Sequence, residues 1–276
     1  MTHFTDKIVF VTGGSSGMGL ATATALASRG SHVALFSRND EEADVALKEV
    51  NAARSSDRQR VRWYRLDVAE RDQVLTEFAR AEKEIGPPDI VINMAGIGGV
   101  APMIDASSEM FDRMMKINVY GTRHVTEAAL ESMRPRGRGK IVLVGSLGGF
   151  VPIYGYTAYG TSKFAVVGFA QCLRSELKPI GIDVACFCPG EVDTPALAAE
   201  RQSTHPATVA MKKIGSVLST EAAVRGLVDG ISSNRFLIIP GQRSKLIYWA
   251  VRLTPSWLWN AVADLIVASA LRKTRP

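Results

Sequence analysis

Three groups of residues in this chain have the types and spacing to do chemistry. The first is Thr12-Gly13-Gly14-Ser15-Ser16-Gly17-Met18-Gly19. Glycines let a backbone approach a pyrophosphate closely, and the start of the helix behind them favours its negative charge. The spacing is not Gly-x-Gly-x-x-Gly, so the general dinucleotide fingerprint does not apply as written. The loop's place directly after a buried apolar run makes it more than a plain turn. The second group is Ser37-Arg38-Asn39. An acidic residue at the end of a second strand would hydrogen-bond the ribose diol of NAD. A neutral serine followed by an arginine suits a 2′-phosphate, which favours NADP(H) over NAD(H), with a merely solvated arginine as the alternative. The third group is Ser146 with Tyr159 and Lys163. Tyr and Lys four apart lie on one helix face. That pair alone is common. It gains meaning because Ser146 ends a strand at the carboxyl edge, where such sheets bind ligands, and the glycine loop belongs to the same sheet.

The elements that must position these groups follow a simple alternation. Nearly continuous apolar runs at residues 7–12, 32–37, 60–66, 89–93, 140–144, 182–187 and 236–239 read as buried strands. Helical patterns fall between them at 17–29, 40–53, 71–85, 110–133, 158–178 and 220–232. Strands alternating with helices predict an α/β fold: a doubly wound parallel sheet of Rossmann type, helices on both faces. Residues 1–240 form one such domain, and residues 241–276 follow as a C-terminal helical extension.

Composition narrows the function classes. The chain has 276 residues, 46% hydrophobic and 22% charged, which suits one large globular domain and excludes disorder. Lys and Arg number 33 against 27 Asp and Glu, a formal charge of +6. Six basic residues and one acidic residue lie in 241–276, so +5 of the +6 belongs to the extension and the rest is nearly neutral. There is no reading helix, zinc pattern or aromatic–basic platform, so nucleic acid is not expected as a partner. The basic run at 134–140 precedes the fifth strand and reads as a solvated loop at the amino edge. Cys172, Cys186 and Cys188 suggest neither a disulfide framework nor a metal site. The first residues lack the charged-then-apolar pattern of a secretory signal, so a cytoplasmic location is expected.

Taken in order, the motifs resemble the short-chain dehydrogenase/reductase family over residues 7 to about 240. They are Thr12-Gly13-x-x-x-Gly17-x-Gly19, Asn93-Met94-Ala95-Gly96, Asn118, Ser146, Tyr159-x-x-x-Lys163 and Pro189-Gly190-Glu191-Val192-Asp193-Thr194. Met94 departs from the family's usual asparagine. The resemblance implies hydride transfer from a nicotinamide cofactor. It makes Tyr159 the general acid and Ser146 a hydrogen-bond partner of the substrate oxygen. Lys163 becomes the cation that favours the phenolate and holds the nicotinamide ribose, and Asn118 the holder of a relay water. The implied cofactor contacts are Gly13, Ser15, Ser16, Gly17, Met18, Gly19, Ser37, Arg38, Asn39, Asp67, Val68, Asn93, Ala95, Gly96, Tyr159, Lys163, Pro189, Gly190, Val192 and Thr194. Asp67, which would meet the adenine, has a plain helix cap as its alternative reading. Residues 195–215 fit a mobile substrate lid, with Leu197, Met211 and Ile214 as candidates for its lining. A homodimer or homotetramer through helices near 121–133 and 164–178 is the family habit.

The phrases Gly155-Tyr156-Thr157-Ala158-Tyr159, Glu176-Leu177-Lys178-Pro179 and Asp193-Thr194-Pro195 resemble the 3-ketodihydrosphingosine reductase branch. A hydrophobic, lipid-like ketone or its alcohol is the substrate this implies. The alternatives are a 3-oxoacyl or steroid/retinoid oxidoreductase and, against the intact catalytic set, an NADP-sensing binding protein. The extension holds Trp249, Trp257 and Trp259, three of the four tryptophans. Its apolar runs fall short of the about 20 residues a bilayer span needs. Tryptophans with basic flanks suit a peripheral membrane-surface helix. Packing on a neighbouring subunit or covering the pocket is the competing expectation.

Overall fold

The computed structural model describes residues 4–201 and 204–272. Met1–His3 and the extension's Lys273 and Arg275 therefore lie outside the described residues, as do Gln202 and Ser203 of the lid. The first half alternates as expected: β1 (Ile8–Thr12), α1 (Gly17–Ala27), β2 (His32–Ser37), α2 (Asp40–Ala52), β3 (Val61–Arg65), α3 (Arg71–Ile85) and β4 (Ile90–Asn93). Then come α4 (Ser108–Met114), a π-helical turn (Met115–Tyr120), α5 (Gly121–Arg136), β5 (Gly139–Val144), α6 (Thr157–Leu177) and β6 (Ile182–Phe187). The chain ends with α7 (Pro195–Arg201), α8 (Pro206–Lys212), α9 (Thr220–Ser232), β7 (Leu237–Ile238), α10 (Gln242–Leu253) and α11 (Ser256–Arg272).

The strands form one parallel sheet in the order β3-β2-β1-β4-β5-β6-β7. Side chains alternate across a strand, so β1 feeds two cores. Val9 and Val11 pack with Leu26, Leu35 and Leu227 beneath α1, α2 and α9. Phe10 packs on the other face with Phe36 and Phe78, ring centroids 5.3 and 5.4 Å away. Both faces of the sheet are thus sealed, which leaves its carboxyl edge as the place for a ligand.

Three expectations are revised. The helix drawn through 110–133 is interrupted by the π turn, which inserts a residue and turns Asn118 inward. The basic run is only partly loop. Residues 134–136 close α5, with Arg136 donating to the carbonyls of Ser132 and Pro88 at 2.8 and 2.6 Å. Lys140 lies in β5 and reaches Ile231 O and Asn234 Oδ1 at 3.0 and 2.6 Å. The lid segment, whose periodicity is weak, contains the two short helices α7 and α8. The extension does not stand apart: Arg243 donates to Ile214 O of the lid at 2.7 Å, and Tyr248 meets Phe150, in the loop after β5, edge-on at 4.9 Å.

Candidate active site

The sheet order reverses between β1 and β4, and this opens a crevice at their carboxyl ends. The loop after β1 lines it. Gly13 takes a left-handed φ of +65°, and a Cβ there would stand 2.9 Å from Ala95 Cα. A Cβ on Gly19 would fall 1.9 Å from Gly13 O. These glycines therefore let α1 begin directly under the crevice, where unpaired N–H groups face an anion. The cavity there, of about 450 Å³, is walled by Ser15, Ser37–Asn39, Asp67, Val68, Ala95 and Gly96, with Ser16, Gly17 and Met18 from the loop. Backbone approach and a helix start fit a dinucleotide, and the wall carries Arg38 together with Asp67 and Glu42.

Inside this cavity the groups are partly committed. Arg38 Nη1 lies 3.5 Å from Asp67 Oδ2. Ser37 Oγ accepts from the Trp63 indole at 2.8 Å, and Asn39 caps α2 by accepting from Glu41 N at 3.0 Å. Glu42, absent from the sequence reading, accepts from Ser15 Oγ at 2.9 Å and joins the same wall. Asn93 is set apart from its neighbours. It is buried, accepting from the Thr12 hydroxyl at 2.8 Å and donating to the Thr122 hydroxyl at 2.9 Å. It stitches β4 to β1 and α5 instead of facing the crevice.

The catalytic candidates meet at the next strand ends. Ser146 follows β5, while Tyr159 and Lys163 lie on the first turns of α6. The Tyr159 hydroxyl is hydrogen-bonded to Ser146. Lys163 is buried, donates to Val144 O at 2.9 Å and sits 5.7 Å from the centre of the Tyr159 ring. Burial pushes Tyr159 up to about 12 against the pull of the Ser146 bond, and burial brings Lys163 down to about 8. Desolvation is the first cause of the Tyr159 shift, and Lys163 is not among its causes. Tyr159 stays protonated across neutral pH, the form that can give a proton. Beneath this pair the Cys186 and Cys188 thiols lie 3.5 Å apart; the hydrogen bond between them, then burial, raises Cys188.

Asn118 stands one layer behind. Its Oδ1 accepts from Ile97 N at 2.8 Å, and its Nδ2 donates to Ile97 O and Ser162 Oγ, both at 2.9 Å. Its own carbonyl accepts from Thr122 Oγ1 at 2.6 Å. The residue fixes the loop after β4 against α6.

A second cavity, of about 520 Å³, adjoins the first; the two share Met18, Met94, Gly96 and Thr194 in their walls. Ser146, Tyr159, Lys163, Pro189, Gly190 and Val192 lie along it. Leu197, Met211 and Ile214 line its lid side, and Ser244, Ile247 and Trp259 of the extension line a further part. The extension therefore contributes to the wall of this pocket.

The family model for short chain dehydrogenase matches residues 7–205. The chain belongs to that family. A 3-ketodihydrosphingosine reductase of Bos taurus is 33% identical over 228 residues, 82% of this chain and 69% of that protein. A putative ketoacyl reductase of monensin polyketide synthesis from Streptomyces virginiae is 35% identical over 204 residues, 73% of this chain and 77% of that one. Among solved structures, an NAD+-bound xylitol dehydrogenase superposes with a TM-score of 0.77 at 30% identity, covering 86% of this chain and 98% of that one.

The substrate cavity also holds a charged cluster that no motif announced. Lys212 Nζ lies 2.6 Å from Glu191 Oε1 and 2.5 Å from Glu200 Oε1, and the Tyr156 hydroxyl donates to Glu200 Oε1 at 3.0 Å. Tyr156 in turn meets Tyr159 edge-on at 5.0 Å. Only a shared place in one folded wall joins these residues, and one-dimensional spacing holds no sign of it. Among the described residues, no helix is long and apolar enough to cross a membrane.

Proposed function

We propose that this oxidoreductase uses NADPH to reduce the ketone of a hydrophobic, lipid-like substrate, with 3-ketodihydrosphingosine as the substrate type. The reading is carried by one observation: the Ser146–Tyr159 pair stands where the dinucleotide crevice opens into a largely apolar cavity. A carbonyl oxygen placed there accepts hydrogen bonds from both hydroxyls. The protonated Tyr159 gives its proton to that oxygen as negative charge develops. The bound nicotinamide supplies the hydride. Lys163, held by Val144 O, keeps further N–H groups for the ribose hydroxyls and for the phenolate left behind. Asn118, Ile97 and Ser162 keep the loop and helix in register.

The lipid reading draws support from the cavity's apolar lining and from the reductases similar to this chain. The NADPH reading draws on Arg38 beside the neutral Ser37. Leu246, Trp249, Leu253, Trp257 and Leu265 are all more than half exposed, which supports contact of α10 and α11 with a lipid surface. A pairing of copies through α5 and α6 accords with the exposed Phe164. A 3-oxoacyl substrate is the second reading, supported by the Streptomyces relative.

NADPH oxidation with 3-ketodihydrosphingosine, a 3-oxoacyl thioester and a steroid ketone tests the assignment. The sphingoid ketone should give the highest kcat/KM, and Tyr159→Phe should lower it by about 10²–10⁴-fold. Wild-type turnover by the variant, or no turnover of any ketone, ends the reductase reading. Liposome co-sedimentation of the full chain against Trp257→Ser tests the surface contact.

A further inference from the structure

The charged cluster in the substrate cavity has no part in the proton transfer just described. Its side chains are well removed from water, Lys212 at 9%, Glu200 at 15% and Glu191 at 22% exposure. Two carboxylates face one ammonium, so this wall holds one negative charge in excess. Buried charge is costly unless paired, and most of the remaining lining is apolar. Lys163, the other cation of the cavity, is turned to Val144 O and pairs with neither carboxylate.

The oxygens of Glu200 divide the work. Oε1 takes both Lys212 and the Tyr156 hydroxyl. Among the described residues Oε2 takes no hydrogen bond. It lies 3.5 Å from where a Cβ on Gly98 would be, an ordinary contact distance, so it faces the loop after β4 that lines the same cavity. Glu200 is also near enough to Tyr159 to contribute to raising its hydroxyl. An uncommitted carboxylate oxygen thus stands on the residue that, through Tyr156, adjoins the proton donor in the same cavity.

We propose that Glu200 is a specificity-determining residue: its Oε2 receives a protonated amine carried on the carbon next to the reacting carbonyl, while Glu191 keeps Lys212. This rests on the reading of the cavity as a 3-ketodihydrosphingosine-type site and assigns the residue that recognises the amine of such a substrate. The apolar chain runs along Leu197, Met211 and Trp259, and the cation anchors the polar end. A neutral ketone of equal length leaves the excess charge uncompensated.

Isothermal titration of the full chain at pH 7, with and without NADP+, tests this using two soluble probes of equal chain length. These are octylammonium and the neutral 1-octanol. Wild type should bind octylammonium at least tenfold more tightly. Glu200→Gln should reduce that preference to within twofold and leave octanol unchanged. Lys212→Met frees both carboxylates and should strengthen the cation's binding several-fold. Equal affinity for the two probes in wild type overturns the proposal, as does a preference that survives Glu200→Gln. Should Glu200→Gln fail to fold, the absence of any rise in Lys212→Met overturns it. Because neither probe is a ketone, failure of the reductase assay sinks the proposed activity without altering this comparison.

Discussion

The cofactor half and the substrate half of this active site are built by different means. The crevice is made by backbone: the glycine loop, the start of α1 and the ends of β1, β2 and β4. The cavity beside it is made by side chains from α7, α8, α10 and α11, which meet only because the chain folds back over the sheet edge. Backbone demands specific residue types, since a Cβ at Gly19 would overlap Gly13 O. Side-chain walls demand only volume and polarity, which many sequences meet. Substrate range can therefore drift while the cofactor site holds still.

The sharpest way to break this contrast is to put a side chain into the backbone half. Gly19→Val should abolish measurable NADPH binding and lower the melting temperature, as read by titration and by thermal unfolding. A variant that binds normally would mean that the loop is not the cradle described here.

The next effect is electrostatic. Lys163 falls from its ordinary value of 10.5 to about 8 because it is buried. Between those values the unfolded chain holds a proton that the folded chain has lost, so stability rises with pH from about 8 to 10.5. Below pH 8 both states are charged and the burial cost is felt in full. Lys163→Met should remove that rise, a difference of up to about 3 kcal/mol, offset by about 1 kcal/mol for the lost bond to Val144 O. Melting temperatures at pH 7 and 9.5 should diverge in wild type relative to the variant, and reductase activity should be lost. Parallel shifts in the two proteins would show that the ammonium is not desolvated.

Arg38 gives a smaller effect. Its pairing with Asp67 leaves the guanidinium half exposed at the crevice rim. Arg38→Ala should raise KM for NADPH about tenfold and leave KM for NADH within twofold, since one charge-assisted contact is removed. Glu42 opposes a phosphate from the same wall, so Glu42→Gln should move the ratio the other way. Equal effects on both cofactors would make Arg38 a packing residue only.

The legible parts follow the same division. The strands announced themselves as apolar runs because both faces are buried, and the loop, Ser146, Tyr159 and Lys163 sit where strand ends put them. Asn118 was readable as a residue but not as a placement, since its burial depends on the π turn at Met115–Tyr120 that interrupts the helix. Asn93 looked like a crevice residue because it borders Ala95 and Gly96. Its side chain is taken up instead by Thr12 and Thr122, partners that only the folded sheet brings to it. Glu42, Glu191, Glu200 and Lys212 acquire their roles from tertiary contact alone. The tail's tryptophans divide as well, with Trp257 outward and Trp259 against the cavity.

Trp259 offers the finest test of the side-chain half. Its indole Nε1 is buried and finds no partner among the described residues. An unmet buried donor costs about 1–3 kcal/mol. Trp259→Phe keeps an aromatic wall and deletes the donor, so it should be neutral to stabilising by about 1 kcal/mol, with KM for a long-chain ketone changed by less than twofold. Trp259→Ala removes the wall itself and should raise that KM about three- to tenfold, with little change for a short ketone that never reaches α11, since each buried methylene contact is worth about 0.8 kcal/mol. Chain-length dependence, measured as the ratio of the two KM values, separates the outcomes. A Trp259→Ala enzyme that loses long and short substrates equally would place α11 among the elements holding the catalytic geometry, and the separation between the two halves would then fail at its outermost helix.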